Sequence, residues 1–275
     1  MQLPKHLAER VELLKKSGYR GGIIGAHRAR TSIPFTAGIF LSIMLIPIFY
    51  TTVLWNAQDH ITLLWYAIFE FWFDKLNING DININNYTIL FQPLVFPYPH
   101  IYTGLPTTAD MIWCGISVVA CFLISFILMW KFAEKNLIPL AYLFRIFGFI
   151  NLSTIIFFLI RPEGYFFGVD DYIRGCLSVG YIYLYLLSPI LAFTYNIFSM
   201  KLRYKLLIPI TMVGYFLVFL PHLFLLHALI LVKFSILYLP LLYLMFTFLP
   251  VMAMTVGIYA FFLGFNAIPQ SEFDN

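Results

Sequence analysis

Charge is what this chain has least of. Aspartate, glutamate, lysine and arginine supply 11% of its 275 residues, where a soluble globular domain carries about 25%. With 61% hydrophobic residues beside so little charge, a water-soluble fold is excluded and the composition is that of a polytopic membrane protein. Cysteine is scarce as well. Cys114, Cys121 and Cys176 all stand in apolar runs without CxxC or Cys/His ligand spacing, so neither a disulfide framework nor a metal site is expected, and the three read as packing residues. Paired carboxylates, a Gly-x-Ser-x-Gly elbow, a phosphate-binding loop and an HExxH helix are all missing from the sequence, which argues against an enzyme and against a cofactor. No Asp or Glu interrupts the long apolar runs, leaving nothing to couple a proton or sodium ion to transport. There is no internal repeat.

What is present is a series of runs long enough to cross a bilayer, which needs roughly 20 apolar residues per helix. The segment from Tyr172 to Lys233 shows the pattern most clearly. An uncharged run from Gly175 to Met200 meets a basic knot of Lys201, Arg203 and Lys205, and a second uncharged run follows from Leu206 to Val232. This predicts two spanning helices hinged at one membrane face. Extended to the whole chain, the reading is an all-α fold of six spans at about 34–55, 111–130, 138–160, 175–198, 206–230 and 236–262. A basic segment, 1–33, precedes them and a polar tail, 266–275, follows.

Charge distribution sets the expected orientation, because basic residues in short loops stay on the inner side. The N-terminal segment holds seven basic and two acidic residues, and Leu3, Leu7, Val11 and Leu14 recur at helical spacing along it. That describes a surface-lying amphipathic helix. No short apolar stretch with a small-residue cleavage site follows its basic residues, so the segment is expected to be retained. Expected inner segments carry twelve basic residues against four outside, while acids divide eight outside to five inside. Both termini are therefore expected on the cytoplasmic or matrix side of a bacterial or mitochondrial inner membrane. The basic excess is explained by orientation and requires no nucleic acid. Between the first two spans, 56–110 is the expected outer cap: Ile61–Phe73 is read as an interfacial helix, 77–86 as polar and turn-prone, and 91–106 as a Pro-rich aromatic stretch.

Few polar residues stand inside the runs. Arg145, two turns into the third span, has a side chain long enough to snorkel to the interface. His222 and His227 are five apart, about 140° around a helix, so they do not share a face as metal ligands four apart would. Their readings are a proton relay or polar residues near a helix end. Ser117, Cys121 and Ser125 at i, i+4 and i+8 form a small-residue seam for helix packing. Prolines at 47, 139, 189, 209, 221, 240 and 250 offer either kinked packing or freed carbonyls for an ion site.

The order of these features resembles the TatC family, the multispanning core of the twin-arginine protein translocase. Arg28-Ala29-Arg30 before the first span is similar to the family's Arg-x-Arg, and Leu143-Phe144-Arg145-Ile146-Phe147-Gly148 to its start of span three. Ser188-Pro189-Ile190-Leu191 followed by Leu202-Arg203-Tyr204-Lys205 is similar to its span-four proline and basic turn. The chain departs from the pattern before Arg28, where Ala26 and His27 replace an acid, and at Ser188, where an acid or amide is usual. The resemblance implies recognition of twin-arginine precursor proteins, with Glu134 as the carboxylate for the arginines, Arg28 and Arg30 beside it, and single-span subunits as partners. Two other readings remain open: a non-catalytic structural subunit among other integral membrane subunits and lipids, and a small transporter.

Overall fold

The computed structural model describes residues 37–89, 92–101, 103–132, 137–162, 165, 168–197 and 202–267. Helix α1 (Ala37–Asn56) and helix α2 (Gln58–Leu76) lead into strands β1 (Asp81–Ile89) and β2 (Gln92–His100). Helices α3 (Thr108–Phe132), α4 (Ile138–Ile160), α5 (Val169–Ile197) and α6 (Leu202–Lys233) follow. A 3-10 turn (Ile236–Tyr238), one α-turn (Leu239–Leu241) and a π-helical segment (Leu242–Thr247) then lead into helix α7 (Phe248–Ala267). Among the described residues, five helical stretches are long and apolar enough to cross a membrane: Thr108–Lys131, Ile138–Ile160, Val169–Tyr195, Leu202–Lys233 and Ile236–Gly264. A sixth is added if the two helices flanking Ala57 count as one broken span. The N-terminal amphipathic helix, the polar tail and the expected side of either terminus fall outside the described residues.

The helices persist through their prolines. α1 contains Pro47 and α5 contains Pro189, while α6 runs 32 residues through Pro209 and Pro221. In lipid a backbone group has no water to bond, so unbroken helices are the lowest-cost way across.

The chain forms two compact units. In the smaller one (1–55, 183–214 and 254–275), phenols tie segments together. The Tyr50 hydroxyl donates to the Leu206 carbonyl at 2.5 Å, and Tyr183 shares a proton with Thr255 at 2.6 Å.

In the larger unit (56–182 and 215–253), α2 is the organising element. Ile61, Trp65, Phe69 and Phe73, four apart, form its buried stripe. The Trp65 indole N–H donates to the Leu217 carbonyl at 2.8 Å, and its ring stands edge-on to Tyr181 at 5.3 Å. The helix starts three residues before and ends three residues after the predicted Ile61–Phe73. Its exposed side mixes Leu63, Leu64 and Phe71 with Asp59, Glu70 and Asp74, a composition suited to a membrane surface. Asn77 ends it in the left-handed region at φ 48°, its N–H bonded to the Phe73 carbonyl, a conformation that asparagine tolerates.

A strand pair replaces the turn-prone and Pro-rich stretches expected between 77 and 106. β1 and β2 are antiparallel throughout, from Asp81 opposite His100 to Ile89 opposite Gln92. The fold is therefore helical with one β-hairpin. Pro93, Pro97 and Pro99 are compatible with it because they share one parity. Lacking N–H groups, they occupy the pairs that exchange no hydrogen bonds. The bonded pairs are then Asp81/His100, Asn83/Tyr98, Asn85/Phe96, Tyr87/Leu94 and Ile89/Gln92. β2 lies against α2, where the Thr62 hydroxyl donates to the Val95 carbonyl at 2.9 Å. Phe96 stacks on Tyr181 at 5.7 Å.

Candidate functional site

The main cluster of bonded polar side chains inside the larger unit forms where α5, α6 and the π-helical segment meet. The Tyr172 hydroxyl lies 2.9 Å from His227 Nδ1 and 3.2 Å from Thr247 Oγ1. Thr247 in turn donates to the Leu242 carbonyl at 3.2 Å. Local structure supplies each part. Tyr172 stands in the first turn of α5, and its ring stacks on His227 at 6.1 Å, with Phe224 edge-on to the imidazole at 5.7 Å. The π-helical turn gives Thr247 a partner five residues back. Pro250 has no N–H for the Phe246 carbonyl one turn earlier, and the Phe246 backbone approaches the His227 ring. His227 Nε2 nevertheless makes no well-formed hydrogen bond. Wide π turns of this kind recur at functional sites.

A cavity of about 380 Å³ opens beside this cluster, lined by Asp171, Tyr172, Cys176, Tyr243, Thr247 and Phe248 among others. That is within the roughly 300–1,000 Å³ of ligand pockets. Its polar end is the start of α5. Asp171 pairs with Arg174 at 2.6 Å, Arg174 lies 5.9 Å over the Tyr98 ring, and His100 Nδ1 lies 3.2 Å from Asp170. Acidic side chains are favoured at a helix N-terminus, and here they also tie the hairpin to α5.

The side-chain partner of His227 is a phenol, no carboxylate bonds to it, and the described residues contain no group of three His, Cys, Asp or Glu placed to hold a metal ion.

The residues singled out in the sequence fall in separate places. His227 is in the cluster. His222 is part-exposed, its Nδ1 2.6 Å from the Val218 carbonyl and its ring edge-on to Trp72 at 6.1 Å, so the two histidines occupy different surroundings. Arg145 sits between α3 and α4, where Nε donates to Ser125 Oγ at 2.9 Å and a terminal nitrogen meets Met129 Sδ at 2.7 Å. Tyr142 offers its ring face at 5.6 Å. Ser125 from the predicted seam is thus an acceptor as well as a small packing residue. Ser188, in the smaller unit, is buried with no hydrogen bond at its hydroxyl. Glu134, Arg28 and Arg30 lie outside the described residues. Tyr172, Thr247 and Trp65 were missing from the candidates. The signals in the sequence were the pair Asp170-Asp171 just before Tyr172 and the single aliphatic hydroxyl, Thr247, in the run Leu239–Pro250.

No protein-family profile, no characterised protein and no solved structure matches this chain. Its spans define its class: a multi-pass integral membrane protein.

Proposed function

We propose that the chain is a non-catalytic, membrane-embedded subunit of a larger assembly. The carrying observation is that its hairpin is fixed along the β2 edge by Thr62–Val95 and on one face by Phe96–Tyr181 and His100–Asp170. Lipid alone gives no reason for such a mount, and a held platform is what partner subunits need. The membrane segments support the same reading, since Tyr172 bonds both His227 and Thr247, and Arg145 bonds Ser125. Isolation of the tagged chain from its native membranes in mild detergent is expected to give fixed-stoichiometry partners. A lone chain of 32.0 kDa contradicts the proposal.

A second reading, a core subunit of a twin-arginine translocase, rests on the resemblance stated above and is favoured by the tight connection at Phe234 and Ser235 between the last two spans, since that family is similar in having a very short turn there. In that reading Glu134 receives the paired arginines of a precursor, because a carboxylate binds guanidinium groups in charge-assisted pairs. Glu134→Gln is then expected to abolish crosslinking to a twin-arginine precursor, and unchanged crosslinking removes the site.

A further inference from the structure

The two edges of the β-hairpin are unlike. On β2 the outward-facing positions are Pro93, Val95, Pro97 and Pro99. Three of these carry no N–H, and the Val95 carbonyl already accepts from Thr62. That edge is closed by both chemistry and contact, as natural sheets close edges. On β1 the outward positions are the partners of those residues, Ile82, Ile84, Asn86 and Thr88. None is proline, and among the described residues no hydrogen bond engages their backbone groups. No lysine or bulge guards the edge, and the Ile84 side chain is 58% exposed.

Resting on the subunit reading, we propose that the free edge of β1 is the docking site for an extended segment of a different partner subunit, which adds a third strand opposite Ile82–Thr88. A row of alternating donors and acceptors is matched only by another extended backbone, which fixes the kind of partner. Its charge follows from the rim. Asp81 opens β1, and Glu70 and Asp74 are exposed on the last turns of α2, which leads into it; Lys75 is the one lysine or arginine of the segment 56–110. A second copy would bring the same acidic rim, so the strand that fits is neutral or basic and offers Ile84 an apolar contact.

Hydrogen exchange separates the two sets of β1 amides. In the purified chain, the amides of Asn83, Asn85, Tyr87 and Ile89 are expected to be protected by β2 while those of Ile82, Ile84, Asn86 and Thr88 exchange freely. In the assembly isolated from native membranes, the second set is expected to slow at least about tenfold. Ile84→Pro removes one outward N–H without touching the ladder, and is expected to lose the partner while its melting temperature in detergent is unchanged. Asn83→Pro breaks the ladder and reports a misfolded hairpin for comparison. Free exchange of the outward amides within an intact assembly overturns the edge and leaves the subunit reading standing. A lone chain overturns both, and a dimer of this chain with β1 protected overturns the choice of partner.

Discussion

Arg145 carries a full charge into an apolar helix pair, and among the described residues its guanidinium contacts a hydroxyl and a thioether rather than a carboxylate. The same side chain leans from Ser125 toward Met129, one turn closer to the end of α3, which is the direction snorkelling requires. Removing the hydroxyl leaves a half-buried donor without its acceptor, which costs about 1 kcal/mol. Ser125→Ala is therefore expected to lower the unfolding temperature in detergent micelles, and the double variant with Arg145→Met is expected to recover most of the loss. A double variant as unstable as the sum of both changes contradicts this account. Tyr165, in the connection between α4 and α5, gives a pH signature. Its ring packs on Phe157 and Phe158, and burial pushes its phenol from 10.0 up to about 12. The folded chain thus keeps a proton that the unfolded chain gives up, so this stabilisation is complete below pH 10 and is lost as the pH rises toward about 12. Tyr165→Phe is expected to flatten that part of the alkaline loss, measured as unfolding temperature against pH for the two proteins.

At the level of elements, the α3–α4 pair depends on small residues. Ala141 and Gly148 are buried on α4, and a side chain at Gly148 would begin 3.1 Å from the Phe122 ring. Gly148→Leu is expected to cost about 1–3 kcal/mol by overpacking, read as a lower unfolding temperature. The small residues Ser117, Cys121 and Ser125 on α3 stand out in the sequence, but the close approach of Gly148 to Phe122 does not, because one glycine in an apolar run carries no periodicity. Five of the six expected spans were legible, since a long uncharged run in a sequence has few other solutions; the first, 34–55, counts as a span among the described residues only together with α2. Ile138–Ile160 coincides with its helix, whereas α5 begins at Val169, before the expected 175. Charge was the misleading cue there, because Asp170, Asp171 and Arg174 lie inside the helix, where acids suit its N-terminus. The hairpin was hidden for a related reason. Asn is poor in strands and Pro ordinarily excludes them, yet Pro93, Pro97 and Pro99 fall on one parity, and that alternation was the readable sign of an edge. The Tyr172–His227–Thr247 cluster joins residues up to 75 positions apart, a proximity that no local pattern encodes.

For the molecule as a whole, the observations divide by location. Inside the spans, polar side chains are used to hold helices together, by phenols and hydroxyls in both units. Faces of the α3 and α4 spans remain open, with only 17% and 22% of their most apolar stretches buried. Outside the spans, the hairpin is anchored on one edge and open on the other. That asymmetry is what a subunit needs to present a partner with a fixed backbone edge. The most direct measurement is the native mass of the tagged chain released from its own membranes into lipid nanoparticles. The account expects a single species heavier than the 32.0 kDa chain, with partners in constant ratio. A solitary chain showing substrate-dependent ion flux would contradict it.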